Sequence, residues 1–212
     1  MQTLVEQPPR VASRQLTAAA LGTLLTLVAF TAPLSTINST AATLGAGTAG
    51  RTWILSSMSI GLGAALLSTG TISDDFGRRR TFAAGLLVLA AGSVAAAVAP
   101  GTLVFVLARL VQGVGGAAAV ASSLGIIAAT YPPGPERAAA SGVWGASVGA
   151  GIAVGPLMTA GFDRVLSWRA AYWVLGLAAL VVAVVALRAV AESRSEHRQP
   201  LDLPGLVLSR AA

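Results

Sequence analysis

Six stretches of this sequence carry no charge at all. Residues 15–50, 52–73, 81–108, 110–135, 138–162 and 170–187 lack Asp, Glu, Lys and Arg. A helix crosses the ~30 Å hydrocarbon layer of a bilayer with roughly 20 apolar residues, so each stretch can hold one span. A soluble domain covers its surface with about 25% charged residues. Here only 10% of the 212 residues are charged and 55% are hydrophobic. A water-soluble globular domain is excluded, and so is a disordered chain, which needs the opposite balance. Cysteine is absent, which removes disulfide scaffolds and thiolate metal sites.

The fold class expected is an all-α membrane protein of six transmembrane helices. Open sheet edges cannot be satisfied in hydrocarbon, and no ten-residue alternating segments suggest a closed barrel. Spans are placed near 16–37, 53–73, 82–99, 102–125, 139–160 and 170–188. The turn Ala99-Pro100-Gly101 separates the third from the fourth and puts Arg109 inside the membrane. A cleaved signal peptide does not explain the first span, whose uncharged stretch is too long. The expected layout is a cytoplasmic tail over 1–15, a six-helix bundle over 16–190, and a cytoplasmic linker over 191–212.

All 14 basic residues are arginine. With the N-terminus in the cytoplasm, ten of them lie inside: Arg10, Arg14, Arg78, Arg79, Arg80, Arg137, Arg188, Arg194, Arg198 and Arg210. Arg51, Arg164 and Arg169 lie outside. That bias orients a multi-pass protein of the cell membrane. The net charge of +6 then reflects the bilayer as partner and not nucleic acid.

Three segments carry the candidate chemistry. The first is Gly70-Thr71-Ile72-Ser73-Asp74-Asp75-Phe76-Gly77-Arg78-Arg79-Arg80, a tight connection between the second and third spans. Gly77 is placed for unusual backbone angles, Arg78, Arg79 and Arg80 pin the cytoplasmic side, and Asp74 needs a cation or a helix N-terminus. A plain orienting loop would have the same composition. The second is Arg109-Leu110-Val111-Gln112-Gly113-Val114-Gly115-Gly116-Ala117. Arg109 falls about 10 Å into its span at 1.5 Å per residue. It must face a water-filled cavity or a carbonyl partner, or else snorkel to the outer interface. The third is the glycine-rich fifth span. At 100° per residue Gly142, Gly145, Gly149 and Pro156 share one face, and Gly151 and Gly155 share another. Two small-residue faces would admit neighbouring helices on both sides, and Pro156 invites a kink.

These segments together resemble the major facilitator superfamily. Gly70-x-x-x-Asp74-x-x-Gly77-Arg-Arg-Arg is similar to its signature loop, Arg109-x-x-Gln112-Gly113 to its span-four motif, and Gly151-x-x-x-Gly155-Pro156 to the motif of its proton-coupled exporters. Trp168-Arg169 with Tyr172 is similar to the start of span six in the 14-helix drug:proton antiporter branch. The resemblance covers nearly the whole chain but only the N-terminal half of such a transporter. It implies a gating role for the loop, a coupling or pathway role for Arg109, Gln112 and Gly113, and a packing and kink role for Gly145, Gly149, Gly151, Gly155 and Pro156. It also implies small drug-like substrates and protons as partners, and either a missing C-terminal half or a second copy of the chain. A non-transporting remnant is the alternative from another class.

Several departures bear on that expectation. Aligned on Asn38, Pro33 and Ser35 occupy the slots of an acid and a threonine in span one, and no carboxylate falls within any of the six expected spans. A proton-coupled carrier needs a group that gains and loses a proton, and Asp74 is the candidate. Asp75 stands where a basic residue is usual, and Thr159-Ala160 replaces a glycine pair. After the sixth span, Leu201 to Leu208 resembles the start of a seventh that stops short, which reads as a truncated gene, a fragment or a half-size carrier. No cofactor or metal is expected. Gly45 to Gly50 fits a dinucleotide pattern without a preceding strand, so it is read as an outer loop. Gly145-Ala146-Ser147-Val148-Gly149 fits a hydrolase elbow, but the sole histidine, His197, sits in the tail, so an enzyme is not expected.

Overall fold

The computed structural model describes residues 9–191, with side chains at all but 9, 10, 67, 68, 70–72, 74 and 75. Every regular element among them is a helix: α1 (Pro9–Thr31), α2 (Pro33–Leu44), α3 (Thr48–Phe76), α4 (Arg78–Ala97), α5 (Thr102–Thr130), α6 (Pro135–Val165) and α7 (Trp168–Ala189). Among the described residues, five stretches are long and apolar enough to cross a membrane: Val11–Thr31, Arg78–Ala97, Thr102–Thr130, Pro135–Val165 and Trp168–Ala189. The expected second span lies within the 29-residue α3, so a count of six spans is approximate.

The expected first span, 16–37, is two helices. Pro33 has no N–H to give the carbonyl four residues back, and its ring crowds that carbonyl. The chain breaks at Ala32, which keeps helical angles (φ −46°, ψ −47°), so α1 and α2 form one proline-kinked span. The other helices overrun the expected boundaries by up to five residues, except that α4 ends at Ala97, two residues short of its expected end. Charge-free runs mark the hydrocarbon stretch, whereas a helix continues past charges until a breaker stops it. Gly45 ends α2 in the left-handed region (φ 66°), and α3 has begun by Thr48, so the expected 45–50 loop is only a short turn. The expected loop between spans two and three is a single residue. Gly77, at φ 109° and ψ 133°, reverses the chain between α3 and α4, in a region closed to residues with a Cβ. Gly70 and Asp74 therefore belong to α3, and Arg78, Arg79 and Arg80 form the first turn of α4.

α5 is the hub. It packs between α3 and α4 and touches α1, while α6 lies mainly on α1 and α7 mainly on α4. Missing side chains let the backbones meet. A Cβ on Gly115 would come within 2.5 Å of the Leu89 nitrogen and 2.6 Å of the Gly85 carbonyl in α4. One on Gly113 would lie 2.7 Å from the Leu62 nitrogen in α3, and one on Gly116 2.7 Å from Thr26 in α1. With no apolar–water contrast between helices in lipid, such close packing is what holds them. At the far end Phe105, Trp168 and Tyr172 form three edge-to-face pairs with centroids 5.4–5.9 Å apart. Each pair adds roughly 0.5–1.5 kcal/mol beyond burial.

The two glycine faces of α6 have different fates. Gly151 and Gly155 abut α1, where a Cβ would sit 2.7 Å from the Leu24 carbonyl or 2.9 Å from that of Val28. Gly142, Gly145 and Gly149 have no atom within 4 Å of a built Cβ, so among the described residues a helix approaches one face only. Replacing Gly115 by Ala should cost roughly 1–3 kcal/mol through overpacking. Gly149→Ala should be neutral or gain up to about 1 kcal/mol from helix propensity. Thermal unfolding of the two variants in detergent checks the contrast.

Candidate functional site

One face of α5 carries Phe105, Arg109, Gln112 and Gly116, spaced three and four residues apart and all turned into the bundle. Arg109 and Gln112 are fully buried, at 0% exposure. A buried guanidinium is tolerable only if its donors find acceptors. Nη1 of Arg109 donates to the Ala29 carbonyl (2.6 Å) and to Oε1 of Gln112 (2.9 Å), and Nη2 donates to the Phe30 carbonyl (3.0 Å). Gln112 in turn donates through Nε2 to Oγ of Ser93 (2.8 Å), which donates to the Leu89 carbonyl (2.8 Å). A continuous polar path thus joins α1, α5 and α4. The outcome for Arg109 is the carbonyl partner, not snorkelling. Its Nε and the hydroxyl of Tyr172, both buried, have no hydrogen-bond partner among the described residues.

The source of the acceptors is the kink. Pro33 is the residue whose N–H would have bonded the Ala29 carbonyl, and Phe30 and Thr31 end α1. Those orphaned carbonyls carry the negative end of the helix dipole, and a cation placed there is stabilised. Arginine fills this role repeatedly. Arg169 donates to the carbonyls of Ala97 (2.6 Å) and Ala99 (2.9 Å) at the end of α4, with its guanidinium 4.5 Å from the Trp168 ring centroid. Arg137 donates to Tyr131 and Ala128 at the end of α5, at 2.7 Å each. Arg78 instead ties α4 to the body of α5, donating to the Gly125 carbonyl at 2.9 Å.

A second polar seam joins α2 to α6. The Ser35 hydroxyl sits 2.7 Å from the Pro156 carbonyl and 2.8 Å from Oγ1 of Thr159. Thr159 donates to the Ala32 carbonyl at 2.9 Å, and Ser39 donates to Oδ2 of Asp163 at 2.6 Å. The Thr159 substitution thus does more than keep the position small, since its hydroxyl covers another carbonyl of the kink. α6 also runs on to Val165, so Asp163 is a helical carboxylate in its last turn, beyond the expected 139–160 span. A third knot joins α1, α5 and α6, where Nε1 of Trp144 lies 2.9 Å from both Thr23 Oγ1 and Ser123 Oγ. Nearby, a cavity of ≈ 320 Å³ between α1 and α6 is lined by Leu16, Leu21, Leu24, Val143 and Tyr131.

The predicted residues are therefore not one site. Arg109 and Gln112 meet at the α1 kink, whereas Gly113 belongs to the close contact of α5 with α3. Gly151, Gly155 and Pro156 line the α1–α2 side of α6, and Gly145 and Gly149 do not. The Asp74 side chain lies outside the described residues, as does the region 192–212 that holds the expected start of a seventh span. Sequence reading gave no site role to Ser93, Ser35, Thr159 or Trp144. Pro33 was the available signal, since a proline four residues after a carbonyl guarantees an acceptor in need of a donor.

Geometry of this kind defines a multi-pass helical membrane protein in which one kinked span is clamped by its neighbours. Residues 19–211 match the family described as Major Facilitator Superfamily. The chain belongs to that family of transporters. It is 37% identical over 164 residues to the uncharacterized MFS-type transporter EfpA of Mycobacterium tuberculosis, covering 77% of this chain and 31% of that one. It is 34% identical to the multidrug resistance protein Stp of the same organism, covering 76% of this chain and 30% of that one. It is also 34% identical to the puromycin resistance protein pur8 of Streptomyces alboniger, covering 78% and 33%. The chain thus spans about a third of the length of these curated relatives. The fold is similar to a crystal structure of a bacterial homologue of the human lysosomal transporter Spinster, with a TM-score of 0.75 and 16% identity over 93% of this chain and 47% of that one. A peptide transporter in complex with alafosfalin gives 0.76 and 16% over 99% and 45%.

Replacing Arg109 by Gln should strand the Ala29 and Phe30 carbonyls at about 1–3 kcal/mol each. Arg109→Lys should recover only part of that loss, because a point ammonium cannot span both carbonyls as the guanidinium fork does. Midpoints of denaturant-induced unfolding for the two variants check the order wild type, then Lys, then Gln.

Proposed function

We propose that this chain acts as the N-terminal half of a carrier that exports small drug-like molecules across the cell membrane, with its N-terminus in the cytoplasm. What carries the reading is its identity of 34–37% to proteins described by resistance and transport, over 76–78% of this chain. Three structural features support it. Small-residue contacts give α5 a rigid seat. The kink between α1 and α2 and the polar α2–α6 seam put a hinge where outer segments could rock. The open glycine face of α6 leaves a surface for a second six-helix half, supplied by a further segment or by another copy.

In this reading substrate sits near the bilayer midplane between two halves, and the chain binds and moves it without covalent chemistry or a cofactor. Gly70, Asp74, Gly77, Arg78, Arg79 and Arg80 form the inner gate. The single-residue reversal at Gly77 keeps α3 and α4 moving as a pair, and Asp74 one turn before it meets the other half. Arg109, Gln112 and Gly113 hold the pathway helix, while Gly151, Gly155 and Pro156 let α6 slide on α1. Export is driven by a proton gradient, and Asp74, within the gate itself, is the candidate group that gains and loses the proton.

The test is efflux of a fluorescent cationic dye from proteoliposomes holding the chain, alone and co-expressed with a C-terminal six-helix partner from a related carrier. The reading expects pH-gradient-dependent efflux in the assembled state and at least roughly tenfold slower cycling in Asp74→Asn, at unchanged membrane insertion. Equal rates for wild type and Asp74→Asn would remove the gate assignment. No efflux in either assembly would remove the carrier.

A further inference from the structure

The junction of α1 and α2 does more than bend a span. Three consecutive features meet there. Pro33 cannot donate to the Ala29 carbonyl, and that same carbonyl receives Nη1 of Arg109 at 2.6 Å. The neighbouring Phe30 carbonyl receives Nη2 at 3.0 Å, and the Ala32 carbonyl receives Thr159 at 2.9 Å. Carbonyls around the break are thus claimed by α5 on one side and α6 on the other.

The chemistry of these acceptors matters. The hydrogen bonds of Arg109 go to two backbone carbonyls and one neutral amide, with no carboxylate among the described partners. The groups facing it from packed elements are the carbonyls of α1, the Gln112 amide of α5 backed by Ser93 of α4, and the buried phenol of Tyr172 from α7. In model compounds neither a guanidinium nor a phenol titrates between about pH 5 and 8.

We infer that Pro33 is a positioning residue for Arg109: by stopping α1 it presents the Ala29 and Phe30 carbonyls as a fixed, proton-independent counter-charge for the buried guanidinium. The inference rests on the reading of this junction as the seat of the carrier's pathway helix. It adds that the clamp on α1 stays shut whatever the proton load, so any proton-driven step in this half moves α2 about Ala32–Pro33 while Arg109 holds α1. The negative end of the α1 dipole, about half an elementary charge, stands where a titratable acid would otherwise be needed.

A double-mutant cycle tests this on the full chain in lipid nanodiscs, with thermal midpoints read at pH 5.5 and pH 8. In the Pro33 background, Arg109→Gln should lower the midpoint by roughly 5 °C or more. In the Pro33→Ala background, where residue 33 regains an N–H for Ala29, the same change should cost less than half of that. The coupling should be equal at the two pH values. If Arg109→Gln does not fold, Arg109→Lys replaces it with the same expected pattern. Additive effects of the two substitutions would overturn the positioning role. A coupling that differs between pH 5.5 and pH 8 would overturn its proton independence. Neither readout requires transport, so failure here is separable from failure of the carrier.

Discussion

A guanidinium buried in a bundle without a carboxylate to meet it forces the backbone to supply the counter-charge. Desolvating an ion costs several kcal/mol even after relaxation, and only well-placed acceptors offset it. Arg109 finds them because Pro33 breaks the first span one turn after Ala29. Much of the arrangement follows from that need. α5 must lie close enough to α1 for a side chain to bridge them, and Gly116 against Thr26 permits that approach. α4 must bring Ser93 to Gln112, and Gly92 clears the space, since a Cβ there would lie 2.7 Å from the Gln112 side chain. Clamp and close packing are two aspects of one contact.

The same solution recurs at the helix ends, where Arg137 and Arg169 cover the terminal carbonyls of α5 and α4. Each closes a helix that lacks a basic residue in its own last turn. Among the described residues, Arg109, Arg137 and Arg169 thus act by covering helix carbonyls. Trp168 and Arg169 illustrate the division within one dipeptide, the indole joining the aromatic cluster and the guanidinium reaching across to α4.

Most of the fold was legible in the sequence because two physical signals are strong. Charge-free length marks a span, and Gly77 between aspartates and arginines marks a reversal that only glycine adopts. The kink of span one was also written there, in Pro33, yet it was overlooked because a hydropathy count does not weigh a missing N–H. Arg109 was legible as a buried cation but its partners were not, since the Ala29 and Phe30 carbonyls lie about 80 residues away and carry no sequence signature. Likewise Gly151 and Gly142 look alike in a helical projection, and only the position of α1 makes one a contact and the other an open surface. Helix ends were missed by up to two turns for a related reason. Composition reports the hydrocarbon boundary, and hydrogen bonding decides where a helix stops.

The central claim is that backbone carbonyls at a proline break hold the buried charge of α5. Nuclear magnetic resonance of the chain in nanodiscs, with ¹⁵N-labelled arginine, reports on it directly. A guanidinium forked onto two carbonyls cannot rotate freely, so Arg109 should give resolved Nη protons that exchange slowly and keep their shifts from pH 5 to pH 8. A single averaged, fast-exchanging Nη signal for Arg109, or one that moves with a carboxylate titration, would contradict the account.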